Sequence, residues 1–296
     1  MSLVAILLVA ASVVFHATWN VYLKEESSDA GFLVSFNVAA AILVVPLALW
    51  TLPRIEIFLP VAPHLLASSV CNAFYYLFLY HTYRKGDFSV GYPVSRSAPI
   101  FVVTIAGLML GETTSATGLA GIVLVVAGCF LIPFGSLKDF AREVRSGSFL
   151  SPAMGFALLT ALATSGYSLF DKYGSLPPYR AAGTLGSLGY MALEWLLTGV
   201  MLYGIARFGL RQRETLRPLV THAKKVWIAA FLMTFSYGFV MVAYQFANVS
   251  YVVGFRQLSV VLGVVLGALV LKERVTQGRA VGTAIIAIGL ILIALA

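Results

Sequence analysis

Charged side chains are scarce in this chain. They make up 11% of its 296 residues, and only 12 residues are acidic, whereas 60% are hydrophobic. Because soluble domains carry about 25% charged residues, this composition excludes an ordinary soluble globular protein. It indicates a helical protein that crosses a membrane several times. The basic residues lie in short gaps between apolar stretches, so the formal net charge of +8 reflects membrane topology and lipid headgroups, and not nucleic acid.

Cysteine is almost absent as well. Cys71 and Cys129 both fall inside apolar stretches, which excludes a disulfide framework and a cysteine-based metal site. The sequence contains no phosphate-binding Gly-Lys-Ser/Thr loop, no HExxH motif and no CxxC motif. We therefore expect no cofactor, no metal, no ATP-driven mechanism and no enzymatic activity.

Long apolar stretches are what the sequence does contain. Each is about as long as the roughly 20 residues that a helix needs to cross a bilayer, and charged residues, proline or glycine separate them. We predict ten transmembrane helices, at residues 3–23, 31–52, 62–83, 88–111, 115–134, 152–173, 182–206, 226–248, 250–271 and 277–295. The only long polar gaps are residues 135–151 and 207–225.

The first of these gaps divides the predicted helices into two related groups of five. Equivalent positions near the ends of the two halves are Glu112 and Glu273, Gly121 and Gly282, and Gly128 and Gly289. The first helix of each half also corresponds, with HATWN at residues 16–20 matching YSLFD at residues 167–171. We predict two repeats, residues 1–137 and 151–296, joined by a basic linker at residues 138–150.

An odd number of crossings per repeat places the two repeats in opposite orientations. This inverted arrangement is typical of secondary transporters, whose site lies near the membrane midplane between the halves. The glycines of the fifth and tenth helices allow close helix contact. We therefore predict that these two helices form scaffold or a dimer face, and a homodimer is a candidate assembly.

The ten helices, the five-plus-five repeat, and a Gly-Glu or Lys-Glu pair followed by a polar turn and a glycine-rich helix resemble the drug/metabolite transporter superfamily, in its EamA-type branch. The resemblance extends over essentially the whole chain. It implies an all-α integral membrane protein in which two inverted five-helix repeats surround a central cavity. The cavity would be lined mainly by the first, third, fourth, sixth, eighth and ninth helices, and the protein would export a small solute across the cell inner membrane.

Basic residues are distributed unevenly between the two predicted membrane faces. One face receives most of them: Lys24, Arg84, Lys85, Lys138, Arg142, Arg145, Arg207, Arg211, Arg213, Arg217, Lys224, Lys225, Lys272, Arg274 and Arg279. The other face receives Arg54, Arg180 and Lys172. The positive-inside rule places the richer face in the cytoplasm and both termini outside it, whereas similar transporters are drawn with their termini inside.

Arg96 and Arg256 lie inside the predicted fourth and ninth helices, one in each repeat. A lipid-facing arginine near the middle of a bilayer costs at least about 2.5 kcal/mol, so each is expected to face a protein-lined interior. A guanidinium can bind a carboxylate or a phosphonate through two parallel hydrogen bonds. With Gln257 beside Arg256, this pattern predicts a site for an anionic or zwitterionic solute. The alternative is that each arginine binds helix-end carbonyls or an acid such as Glu194 or Asp171.

Polar and aromatic stripes supply the other candidate binding residues. His16, Trp19 and Asn20 share one helix face through their i, i+3 and i+4 spacing, and Tyr167 begins the equivalent stripe in the second repeat. Tyr75, Tyr76 and Tyr237 complete the predicted site, because tyrosine offers an apolar ring and one hydroxyl. The alternatives are hydrogen bonds between helices for the first stripe, and aromatic belts at the membrane interface for the tyrosines.

Three residues are candidates for proton coupling. Glu194 is the acid that lies deepest in an apolar stretch, and Asp171 and His16 lie on the stripes described above. For Glu194 the alternative is a salt bridge to an arginine. For Asp171 it is an anchor at the membrane interface.

The leading prediction is a secondary transporter that exports a small organic metabolite by alternating access. An amino acid or another zwitterion or anion is the favoured solute, with protons as a candidate coupling ion and lipid as the surroundings. The alternative is a proton-coupled exporter of cationic drugs or quaternary amines, which would use Glu194 with an aromatic cage. An intramembrane enzyme acting on lipid has only His16 and Asp171 in its favour, and a structural membrane protein leaves the inward-facing arginines unexplained.

Overall fold

The computed structural model describes residues 1–25, 30–85, 94–146, 152–176, 183–212, 214–269 and 274–296, and within these ranges all regular structure is helical. The main helices are α1 (Leu3–Glu25), α2 (Ala30–Leu43), α3 (Val45–Thr51), α4 (Ala62–Lys85), α5 (Ala98–Leu110), α6 (Ala116–Leu131), α7 (Leu137–Ser146), α8 (Pro152–Tyr173), α9 (Gly183–Gly204), α10 (Ala223–Ala243), α11 (Val249–Phe255), α12 (Leu258–Leu269) and α13 (Gln277–Leu295). Single helical turns at Leu52–Arg54, Ile55–Phe58 and Leu59–Val61 connect α3 to α4. A wider turn at Ile205–Gly209 and a short one at Pro218–Thr221 lie between α9 and α10.

The helices confirm the ten predicted membrane crossings. Five apolar helical stretches are long enough to cross a membrane by length and composition, at Val45–Thr82, Pro152–Tyr173, Gly183–Gly209, Ala223–Ala243 and Gln277–Leu295. Five shorter apolar stretches occupy the remaining predicted positions, at Leu3–Trp19, Gly31–Leu43, Ala98–Leu110, Ala116–Leu131 and Val249–Val265.

Three of the predicted crossings are interrupted helices. The second divides into α2 and α3 at Val44, because Pro46 lacks the N–H that would continue the helical hydrogen bonds. The fourth and the ninth are interrupted at Arg96 and at Arg256. The interruptions at the two arginines matter most, because they occupy equivalent places in the two repeats.

The first helix of each repeat packs along the third helix of the other repeat. α1 lies against α10, where Ser236 Oγ donates a hydrogen bond to the carbonyl oxygen of Ser12 at 3.0 Å. α8 lies against α4, where the hydroxyls of Thr82 and Thr160 are 3.5 Å apart. The same packing therefore occurs twice, as two repeats related by a two-fold axis require.

The fifth helices of the two repeats, α6 and α13, cross at paired glycines. A Cβ added to Gly121 would lie 2.7 Å from the carbonyl oxygen of Gly289, and one added to Gly128 would lie 2.6 Å from that of Gly282. Any side chain at these positions would push the helices apart, because heavy atoms do not approach so closely. The predicted glycine faces are therefore occupied within the chain, as a scaffold contact.

Both chain termini lie at one end of the bundle, called the terminal end below. The N-terminal ammonium group donates to the carbonyl oxygen of Ala294 at 3.1 Å, and Ser2 Oγ donates to that of Phe246 at 3.1 Å. The opposite end, called the basic end below, carries the segments between α6 and α8 and between α9 and α10. The predicted basic linker at residues 138–150 contains most of α7 at this end.

Candidate functional site

A cavity lies inside the bundle between the two repeats. Residues from both repeats line it, as expected for a solute site between the halves of an inverted repeat. Nine of the ten predicted binding residues line it: His16, Trp19, Tyr75, Tyr76, Arg96, Tyr167, Tyr237, Arg256 and Gln257. The tenth, Asn20, belongs to α1, but its side chain lies outside the described part of the chain.

Both cavity arginines lie at breaks in membrane-crossing helices. Arg96 lies in the turn before α5, and Arg256 lies between α11 and α12. At each break a backbone N–H bonds to a carbonyl only three residues earlier, from Ser97 to Val94 and from Gln257 to Gly254, each at 3.1 Å. These tight turns replace a full α-helical turn. They bring one guanidinium from each repeat to the same cavity.

The charge of Arg256 is balanced indirectly. Its guanidinium carbon lies 5.5 Å from the centre of the Tyr237 ring, a favourable arrangement for a cation. The Tyr237 hydroxyl donates in turn to Asp171 Oδ2, and Ser68 Oγ donates to Oδ1 of the same carboxyl at 2.5 Å. Tyr237 thus stands between Arg256 and Asp171. Asp171 is only 1% exposed and lies behind the cavity wall, because Tyr237 comes between it and the cavity.

Aromatic rings form a continuous series of contacts around the cavity. The successive contacts and their centroid distances are Trp19–Phe36 at 5.8 Å, Phe36–Tyr76 at 5.9 Å, Tyr76–Tyr75 at 4.8 Å, Tyr75–Tyr167 at 5.6 Å, Tyr167–Tyr237 at 6.0 Å and Tyr237–Trp195 at 5.9 Å. Rings at these separations pack favourably and hold one another in place. The cavity therefore has firm, partly apolar walls around its charged groups.

Three buried polar atoms on the cavity wall have no hydrogen-bond partner among the described residues. They are Nε1 of Trp19, Nε1 of Trp195 and Oε1 of Gln257. Buried polar groups are nearly always satisfied in folded proteins. These two donors and one acceptor belong to lining residues, but the atoms themselves are buried beneath the cavity surface.

Glu194 lies directly behind the cavity wall. Its side chain is fully buried, and its Oε1 accepts hydrogen bonds from Asn72 Nδ2 at 3.0 Å and from Thr198 Oγ1 at 2.7 Å. Its Oε2 has no partner among the described residues. Because Asn72 itself lines the cavity, a single side chain separates this carboxyl group from the cavity space.

A buried ion pair lies near the terminal end of the bundle. Lys172 Nζ donates to the carbonyl oxygens of Tyr244 at 2.5 Å and Ala247 at 2.8 Å, and it lies 3.5 Å from Glu112 Oε1. Glu112 also accepts the backbone N–H of Val249, the first residue of α11, at 2.9 Å. Burial raises the pKa of Glu112, although the charge of Lys172 and the N–H of Val249 act in the opposite direction. The pair links both repeats at this end.

The two repeats described above also match a known protein family. The model of the EamA-like transporter family matches residues 3–134 and, a second time, residues 151–295. The chain belongs to this family. It is therefore a multi-pass membrane transporter and not a member of an enzyme family, and its two EamA units account for the paired helices described above.

Comparison with solved structures supports the fold of this EamA-like transporter. One structure, described as "Crystal structure of protein", is similar over 98% of this chain and 96% of its own chain, with a TM-score of 0.71 and 15% sequence identity. At that identity the likeness concerns the fold alone. No curated protein matches the sequence.

Several cavity residues of the EamA-like transporter were not predicted. Thr160 and Thr164 precede Tyr167 by seven and three residues on α8 and line the cavity with it, and this helical spacing is visible in the sequence. Trp195 comes from the seventh membrane helix, which the resemblance does not place at the cavity. Its position could not be predicted, because only packing turns that face of α9 inward.

Proposed function

We propose that this EamA-like transporter moves a small organic solute with a carboxylate or similar anionic group, such as an amino acid or another zwitterion, by alternating access. The observation that carries the proposal is the pair of Arg96 and Arg256 at equivalent helix breaks around one cavity. Guanidinium groups bind carboxylates through two parallel hydrogen bonds. The described lining residues include no acidic side chain.

The other lining residues indicate which apolar and hydrogen-bonding groups the solute carries. The ring contacts around the cavity offer apolar faces, and Trp19, Trp195 and Gln257 add polar groups to the lining residues. A solute with an anionic group, an apolar part and at least one hydrogen-bond donor would satisfy all of these groups. Export is the direction that the family resemblance favours.

The alternative of a cationic drug or quaternary amine receives less support from this geometry. A cation in an aromatic cage needs a nearby acid to offset the two arginines. Asn72 separates Glu194 from the cavity, and Tyr237 separates Asp171 from it. Neither carboxyl group is therefore in direct contact with the space that such a solute would occupy.

Counterflow in reconstituted vesicles tests the proposed solute class. We expect vesicles containing the protein to exchange at least one member of a panel of amino acids, dicarboxylates and phosphonates at a rate well above protein-free vesicles. We expect no exchange of quaternary amines, because two guanidinium groups repel them. Exchange of quaternary amines alone would overturn the proposal.

Proton coupling is proposed for the same cavity, with Glu194 as the leading candidate. Its Oε2 is a buried carboxyl oxygen without a described partner, and Asn72 connects the carboxyl to the cavity. Asp171 has hydrogen bonds to both oxygens and fits a fixed carboxylate better. His16 lines the cavity beside the arginines and remains a third candidate.

Glu194→Gln is expected to abolish the effect of a pH gradient on solute accumulation while leaving counterflow within about twofold of the wild type. The amide keeps an oxygen for Asn72 and Thr198 but cannot release a proton, and exchange needs no net proton movement. Accumulation is measured in vesicles with and without a pH gradient. Full retention of the gradient effect in Glu194→Gln would exclude this residue, and Asp171→Asn and His16→Gln would then be compared.

We also propose that the basic end faces the cytoplasm and that the structure is the conformer closed on the outer side. The positive-inside rule supports this orientation. The contacts of Glu112 and Lys172 support closure at the terminal end. Labelling of single cysteines at the two ends of the bundle tests both statements.

A further inference from the structure

One helix of the chain lies outside the membrane-crossing bundle. In α7, Leu137, Phe140, Ala141 and Val144 recur at i, i+3, i+4 and i+7 and occupy one face. The opposite face carries Lys138, Asp139, Arg142, Glu143 and Arg145. A helix with this strict separation and only ten residues is too short to cross a bilayer, but it is suited to lie along its surface.

The apolar face of α7 is largely uncovered within the described part of the chain. Leu137 is 44% exposed and Val144 is 51% exposed. Phe140 contacts Phe134 at a centroid distance of 5.3 Å, and no other helix of the described chain packs extensively along this face. Because exposing apolar surface to water is unfavourable, we expect this face to be buried against lipid or another protein.

The start of α7 is fixed at the membrane edge. Ser136 Oγ accepts the N–H of Asp139 at 3.2 Å and donates to its carboxylate at 2.7 Å, which caps the helix. Just before it, the carbonyl oxygen of Phe134 accepts a hydrogen bond from Thr276 Oγ1 at 3.2 Å. The helix therefore begins where α6 ends and α13 begins.

The far end of α7 is tethered to the same surface. Only five residues lie between Ser146 and Pro152, the first residue of α8, which crosses the membrane. Arg274 and Arg279 flank Thr276 in sequence, and Thr276 contacts Phe134 just before α7. Both tethers and the excess of positive charge favour a bilayer with anionic headgroups over a soluble partner.

We propose that α7 is an interfacial helix that binds the headgroup layer at the basic end of the bundle. Its apolar face lies toward the acyl chains, and Lys138, Arg142 and Arg145 contact anionic lipid phosphates. The helix thereby anchors the connection between the two repeats to one leaflet. This role is independent of the solute that the cavity carries.

Spin labels on opposite faces of α7 test the proposal in the full-length protein. Single cysteines are placed by Val144→Cys or Glu143→Cys in a background in which Cys71 and Cys129 are replaced by alanine. In vesicles with one quarter phosphatidylglycerol, we expect the label at position 144 to collide more with oxygen and the label at position 143 to collide more with a water-soluble nickel complex. The two positions are adjacent in sequence, so each is the control for the other.

The outcomes distinguish lipid from water and from protein as the surroundings of the apolar face of α7. Two labels that both favour the nickel complex would show a solvated helix, and two labels shielded from both reagents would show a protein cover. Either result overturns the proposal. Circular dichroism and gel filtration of each variant show whether the fold is intact.

The contribution of the basic residues of α7 to lipid binding is tested separately. Lys138→Gln, Arg142→Gln and Arg145→Gln together are expected to raise the water-exposed fraction of the label at position 144 at least roughly fivefold, since each basic residue near an anionic surface contributes about that factor. The increase should be absent in vesicles of phosphatidylcholine alone. An equal effect in both lipids would overturn the assignment of anionic headgroups as the ligand.

Discussion

Arg256→Gln is expected to reduce counterflow of an anionic solute by about tenfold to a hundredfold at limiting solute concentration. A hydrogen bond to a charged group contributes roughly 1.5–3 kcal/mol, and each 1.4 kcal/mol or so is a factor of ten in affinity. The guanidinium has no direct ion pair with Asp171 among the described contacts, because Tyr237 lies between them. Loss of the guanidinium is therefore expected to weaken solute binding more than it destabilises the fold.

Graded variants separate binding from folding. Arg256→Lys keeps the charge without the planar fork and should give an intermediate rate, and Arg96→Gln should weaken transport in the same direction. Arg54→Gln is the matched control, because Arg54 is an exposed arginine that packs over Trp50. Counterflow is measured with each variant at equal amounts of folded protein. Unchanged transport in both Arg96→Gln and Arg256→Gln would remove the basis of the proposed function.

Lys172→Met is expected to open the terminal end and to raise cysteine labelling there by tenfold or more. Breaking one side of a buried ion pair costs about 3–5 kcal/mol, and this cost applies to the conformer in which Glu112 and Lys172 meet. Ser250→Cys is the reporter, because Ser250 is fully buried beside Val249. Labelling with a membrane-impermeant maleimide is followed in intact cells, with Cys71 and Cys129 replaced by alanine.

Two controls accompany this experiment. Arg217→Gln removes an ion pair with Glu214 in which the side chains are 64% and 67% exposed, and it should leave labelling unchanged because exposed pairs contribute little. Val220→Cys reports the basic end, where Val220 is 83% exposed. We expect no external labelling of Val220→Cys in intact cells. Strong external labelling would reverse the proposed orientation, and no effect of Lys172→Met would exclude this pair as a closure.

The interruption of two helices at the arginines explains why a hydropathy pattern could find the arginines but not their geometry. Arg96 and Arg256 stand out in apolar stretches, so the sequence predicts that they face inward. The breaks themselves leave no clear pattern at Arg256, where glycine is the only nearby helix breaker, at position 254. The local hydrogen bonds at such a turn depend on neighbouring helices.

Glu112 is a second residue whose role the sequence predicts but whose contact only the structure shows. Its repetition as Glu273 predicts a structural or gating role at a membrane edge. The residue that it meets, Lys172, is 60 positions away and comes from the other repeat. In the aligned first helices, the position equivalent to Lys172 is Val21, so the repeat pattern does not predict this contact.

The amino-acid sequence by itself determined the membrane class, the ten crossings, the duplicated five-helix unit and the membership in the EamA-like transporter family. These properties follow from composition, from hydropathy and from positions repeated along the chain, all of which can be compared without knowing how the helices pack. Only the tertiary structure decided that Trp195 joins the cavity wall, that Glu194 and Asp171 lie behind it, and that the glycines of α6 and α13 contact each other. Each of these depends on how the helices are rotated against one another, and that rotation is set by contacts between residues far apart in the chain.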